Sequence, residues 1–305
     1  MALPRMSEDR WLLAASYSSI AVALGLILLK YWAWSLTGSA SMLGSLIDSL
    51  MDLVASTVSM LAVRYSLKPA DADHRFGHGK AEPLAALVQS FFILGSALLL
   101  MLYSAERLMQ TSETPMTHIG IGLAVAVMAI VCTLALVMLQ TRVIRMTGSA
   151  AIRADRLHYA TDLLMNIVVV VSLLCAHLGY GRVDTVMGVL IALLIGSGAV
   201  RIGSDALDLL MDKELPDEIV GRIRSLVLSV PGVLGVHDLR TRRSGLRYFI
   251  QCHVEIADYT PLREAHAITD EVEACLIAEF PGADVILRQD PHSLVVRAAG
   301  RASPR

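Results

Sequence analysis

Residues 42–65, MLGSLIDSLMDLVASTVSMLAVRY, are apolar over a membrane-crossing length yet hold two aspartates, Asp48 and Asp52. A helix needs roughly 20 apolar residues to cross about 30 Å of hydrocarbon. The i,i+4 spacing places both carboxylates on one helical face, about one turn apart. A charge at mid-bilayer costs roughly 2.5–3.5 kcal/mol even on the lenient insertion scale, so paired acids there need a compensating partner. Residues 150–178 contain a matching pair, His158-Tyr-Ala-Thr-Asp162, at the same spacing. Two facing pairs supply four oxygen or nitrogen ligands, the number zinc takes in tetrahedral sites. A mixture of carboxylate and imidazole suits zinc and other borderline divalent ions, whereas monovalent copper prefers sulfur. One histidine does not satisfy three acids, which weighs against a hydrogen-bond cluster that only holds helices together.

Working outward, six windows qualify as spans: 12–34, 42–65, 83–105, 118–140, 150–178 and 183–202. The apolar bias is global, with 55% hydrophobic and 18% charged residues and a mean hydropathy of +0.58. Lipid must act as solvent for part of such a chain. The first window is too long for a signal-peptide core and has no clear cleavage site, so it reads as a span. Arg5, Arg10, Arg64, Lys68, Arg75, Lys80, Arg142, Arg145, Arg201 and Lys213 fall on one side of this layout, against Arg107 and Arg182 on the other. The positive-inside rule then puts both termini in the cytoplasm. Lys30 is expected to snorkel outward from the end of the first span. Asp155, Arg153 and Arg156 read as an entrance or, more simply, as interfacial snorkelling residues.

The expected organisation is a cytoplasmic N-terminus (1–11), a six-helix transmembrane transport domain (12–210), a cytoplasmic α+β domain (211–293) and a disordered tail (294–305). A formal charge of −2 argues against nucleic acid. The scattered cysteines, Cys132, Cys175, Cys252 and Cys275, read as buried thiols. No histidine sits in an HExxH pattern, which argues against an intramembrane metalloprotease.

A site with several carboxylates and a histidine binds protons when empty and loses them to a metal, so alternating access would give antiport. Asp71, His74 and His78, spaced three and four apart among glycines, form a second candidate site on a short loop, with Asp73 able to substitute for Asp71. Past residue 213 the order helix, strand, strand, helix, strand predicts a small α+β sandwich with its helices on one face. Strands 234–241 and 246–256 form a hairpin turning at 243–245. His237 and His253 oppose each other across it, and Asp290 joins them from beyond a last strand at 283–287.

These residues resemble the cation diffusion facilitator family, in particular its bacterial zinc/proton antiporters, over nearly the whole chain. The markers are the Asp48–Asp52 and His158–Asp162 pairs, the loop from Asp71 to Glu82, and the run His237-Asp-Leu-Arg-Thr. The resemblance implies six spans and a metallochaperone-like (ferredoxin-like) cytoplasmic domain through which the chain forms a homodimer. It also implies a bacterial inner-membrane location and proton-coupled efflux of Zn2+, with Cd2+ or Fe2+ as alternatives. Zn2+ would be both substrate and structural or regulatory ion. By resemblance His266 belongs to a second ion sharing Asp290, and Lys80 and Asp212 to a charge interlock between protomers. Arg288 departs from the pattern, standing where close relatives have a histidine, and His292 is the available replacement. A membrane metal sensor without transport is the alternative reading.

Overall fold

The computed structural model describes residues 4–37, 40–109, 119–177 and 183–295; the tail expected to be disordered lies almost wholly outside them. The chain divides into two units, Met1–Leu207 and Asp208–Arg305.

The first unit is built from α1 (Pro4–Thr37), α2 (Ala40–Ser66), α3 (Ala81–Met109), α4 (Ile119–Thr147), α5 (Ala150–His177) and α6 (Val183–Leu210). All but α5 are long and apolar enough to cross a membrane. The N-terminal half of α5 holds Arg153, Asp155, Arg156, His158 and Asp162, which lowers its hydropathy without shortening it. Outward faces are apolar, with Leu28, Phe91, Phe92 and Leu99 all more than half exposed. Helices satisfy their own backbone, so such faces suit a lipid surround.

Small residues let α6 approach α3. A Cβ added to Gly203 would meet Ser90 Oγ at 2.8 Å, and Gly196 faces the Ala97 methyl group. Between apolar helices that already lie in lipid, close backbone approach is a main source of association. The α4–α5 corner is set by Gly148, at φ +61°, whose N–H donates to Ile144 O at 2.7 Å. Ser149 Oγ then accepts from the Ile152 N–H at 3.3 Å and caps α5. This corner starts the helix that bears His158 and Asp162.

The second unit contains α7 (Asp217–Ser229), β1 (Gly235–Ser244), β2 (Arg247–Ile256), α8 (Leu262–Glu279) and β3 (Asp284–Pro291). Its sheet order is β1-β2-β3, with β1 antiparallel and β3 parallel to β2. Alternate residues of β2, Ile250, Cys252, Val254 and Ile256, pack with Ile223 and Val227 of α7 and Val272 and Leu276 of α8. Strand periodicity therefore turns His253 and Glu255 to the opposite face.

Two boundaries differ from expectation. The hairpin turn is Gly245–Leu246, one to two residues later than expected. Gly245 at φ +59° supplies the left-handed conformation that a two-residue hairpin loop requires. β3 runs on to Pro291, so Asp290 lies within the strand, paired in register with Glu255. Its charged end masks the strand pattern because that face does not line the core.

Candidate metal centres

Among the described residues three carboxylate–imidazole groups form, two in the first unit and one in the second. In the helix bundle, α2 and α5 bring Asp52, His158 and Asp162 together with ligand atoms within 4.8 Å of one another. His158 Nε2 lies 2.9 Å from Asp52 Oδ1 and 3.9 Å from Asp162 Oδ2. Asp162 Oδ2 is buried without a hydrogen-bond partner among the described residues. An orphaned buried carboxylate oxygen beside two other donors is what a cation would satisfy. Asp48 stands one turn from Asp52 with its side chain exposed, outside this cluster.

Lys30 does not snorkel. It is 7% exposed, and its Nζ donates to Ser45 O at 3.1 Å and Ser49 Oγ at 2.6 Å, on the Asp48 turn of α2. The ammonium is pinned by a side-chain hydroxyl and a backbone carbonyl of the neighbouring helix, which replace the water it would find at the interface. Asp155 also departs from the snorkelling expectation. It is buried at the meeting of α1, α2, α4 and α5, where it faces Ser19, Ser56 and Gln140. Arg153 is paired instead with Asp205 at 2.8 Å.

On the loop between α2 and α3, Asp71 Oδ1 lies 3.4 Å from His74 Nδ1, and Asp71 Oδ2 lies 3.3 Å from His78 Nε2. The backbone N–H groups of His74 and Asp73 donate to Asp71 Oδ1 at 2.7 and 3.1 Å. These bonds, the one from His74 foremost, hold the Asp71 carboxyl below its ordinary range. Asp73 thus braces Asp71 through its backbone, and its own side chain is outside the group. His78 is buried edge-on against Tyr65, whereas Asp71 and His74 are exposed.

In the second unit His237 and His253 are direct cross-strand partners with ring centroids 5.0 Å apart. Asp290 Oδ2 reaches both, at 3.3 Å from His237 Nε2 and 2.9 Å from His253 Nδ1. A bulge follows His237, with Asp238 at φ +47°. Arg288 Nε lies 3.1 Å from the other oxygen, Asp290 Oδ1. Burial would raise the Asp290 carboxyl, but the His253 hydrogen bond and the Arg288 charge outweigh it and hold the group below its ordinary range.

His266 lies outside this group on α8, 3.7 Å from Asp270, with both side chains mostly exposed. His292 is also outside it, joined through Glu255: Oε1 of Glu255 is 3.1 Å from His237 Nδ1 and Oε2 is 2.8 Å from His292 Nδ1. Glu255 is a candidate site residue that sequence reasoning missed. Its signal was its position two residues after His253, hence on the same face of β2. Asp212, at φ +59°, accepts from Arg242 Nη1 of its own unit at 3.2 Å.

A cation efflux transmembrane domain matches residues 16–211, and a cation efflux protein cytoplasmic domain matches residues 215–292. The chain is 47% identical over 296 residues to the cation-efflux pump FieF of Escherichia coli O1:K1, covering 97% of this chain and 98% of that one. It is 48% identical over 283 residues to the FieF of Salmonella arizonae, with 93% and 94% covered. Among solved structures, the zinc form of CzrB is 39% identical over 27% of this chain and 94% of its own, with a TM-score of 0.26.

Proposed function

This chain belongs to the cation efflux (cation diffusion facilitator) family, and from that premise we propose that it exports zinc from the cytoplasm in exchange for protons. It is a multi-pass membrane transporter of metal cations, not an enzyme. The observation that carries the finer reading is the convergence of Asp52, His158 and Asp162 inside the bundle. Asp48, one turn along α2, completes a four-ligand set when a metal enters. Oxygen and nitrogen donors in that ratio suit Zn2+ first and also Cd2+ or Fe2+. These ligands bind metal only when deprotonated, so metal entry releases protons and proton uptake releases metal. Exposing the site to each side in turn makes that competition an antiport.

The Asp71–His74–His78 and His237–His253–Asp290 groups are proposed as sites for resident ions, each leaving a fourth position open. Ions there would have a structural or regulatory role. His266 is assigned by family resemblance to a second cytoplasmic ion sharing Asp290. The same resemblance supports a homodimer through the cytoplasmic domain, with Lys80 and Asp212 interlocking between protomers. Location in a bacterial inner membrane, with both termini cytoplasmic, is part of the same reading.

The test is zinc uptake into proteoliposomes under an imposed pH gradient, comparing wild type with Asp52→Ala. Gradient-dependent flux that the substitution abolishes is the expected result. Zinc binding without flux in the wild type would overturn transport in favour of a metal sensor.

A further inference from the structure

One face of α4 changes character near the end of the helix. Val131, Leu134, Met138, Arg142 and Arg145 follow at spacings of three and four, which puts them on one side. All five residues are exposed. The apolar part runs for about two turns, and the guanidiniums follow on the next two. Val137, Met138, Thr141, Arg142, Arg145 and Met146 line a groove of about 520 Å³ here, within the roughly 300–1,000 Å³ of small-molecule sites.

The two arginines are unclaimed. α4 contains no Asp or Glu, and neither guanidinium is hydrogen-bonded or ion-paired to another described residue. Arg153, at the start of α5, is by contrast paired with Asp205 at 2.8 Å. Thr141 Oγ1 donates its proton to Val137 O at 2.7 Å. It therefore offers the groove only an acceptor, and an anion there is held by the arginines.

Two unpaired cations three residues apart repel each other and call for an anion between them. Their Cβ atoms lie roughly 5–6 Å apart, a span that one phosphate bridges. The pair adjoins an exposed apolar stripe on a helix long and apolar enough to cross a membrane. Free phosphate makes no use of that stripe, and a peptide would have to carry its backbone into lipid to reach it. A phospholipid meets both parts at once, with its phosphate at the guanidiniums and an acyl chain along Met138, Leu134 and Val131.

We propose that this face of α4 is a binding site for one anionic phospholipid. Net negative charge is required because a zwitterionic head group carries its own cation, which the arginine pair repels. The site needs only that α4 spans the membrane, so it stands apart from the identity of the transported ion. The groove ends two residues before Gly148, so a bound head group braces the corner that starts the helix bearing His158 and Asp162.

The test is native mass spectrometry of the full-length protein released from detergent, with phosphatidylglycerol or phosphatidylcholine of the same acyl chains added. Wild type should retain phosphatidylglycerol in preference, with one tightly held molecule per chain. Arg142→Gln/Arg145→Gln should cut that preference about 25-fold, at about fivefold for each arginine near a lipid surface. Arg64→Gln, which removes an exposed arginine from the last turn of α2, should leave it unchanged. Millimolar inorganic phosphate should not displace the lipid. Equal retention of the two lipids by wild type, an equal loss in Arg64→Gln, or displacement by phosphate would overturn the proposal. So would a double variant that keeps the preference; if it also sheds a chain from the complex, the face belongs to a second copy. If the double variant does not fold, the two single variants decide.

Discussion

Arg288 Nε sits 3.1 Å from Asp290 Oδ1, while Asp290 Oδ2 faces the imidazoles of His237 and His253. The two oxygens of one carboxylate are thus divided between a fixed cation and a candidate metal position. A guanidinium has no acceptor for a metal and repels one.

Replacing Arg288 with His removes that cation and frees Oδ1. Zinc binding to the full-length protein, measured by calorimetry against an Asp52→Ala background to silence the candidate metal cluster of the helix bundle, should tighten. Arg288 is 69% exposed and therefore screened, so the gain is about 0.5–1 kcal/mol, a few-fold in affinity. Unchanged affinity would mean that the guanidinium swings clear when metal binds.

Glu255 aims His237. Its Oε1 contacts Nδ1 while His237 Nε2 faces Asp290, an arrangement in which the carboxylate fixes the tautomer and the ring orientation. Glu255→Gln should weaken zinc binding at the cytoplasmic group by roughly 10–100-fold, as loss of such an outer partner does elsewhere. The apo fold should survive, since the amide keeps the shape. Equal affinity in competition with a chelator would remove Glu255 from the site.

Asp290 also predicts a pH dependence. Its folded carboxyl is held below the ordinary range by His253 and Arg288, against the opposing effect of burial. A group depressed on folding adds stability that is fully present above its unfolded value, about 3.9. That stability is lost as pH falls through the lower folded value. Apo wild type should therefore lose stability in the second unit across that acid window. Asp290→Asn should give a flatter curve there, read by denaturant unfolding at a series of pH values. Parallel curves for the two proteins would show that the carboxyl is not held as described.

The membrane class and the i,i+4 pairing of acids and histidine in the bundle were legible because their signals are local. Helical spacing puts Asp48 beside Asp52 and His158 beside Asp162 whatever the rest of the chain does. The alignment of His237 with His253 was equally accessible, because a hairpin register propagates from its turn. The end of β3 was not, because Arg288 to Asp290 break the apolar pattern where the sheet face turns away from the core.

By itself, then, the sequence determined six apolar or acid-bearing helices, a small α+β unit and the residue types of three candidate metal groups. Only tertiary structure decided which side chains meet. Lys30 is drawn inward by Ser49, and Asp155 is enclosed by Ser19, across sequence separations of 19 and 136 residues. Glu255 gathers His237 and His292 while His266 turns to Asp270. Spacing along one element says which face a residue occupies. What that face touches depends on how each helix is rotated and which strands pair, and those are set by packing among residues far apart in the chain.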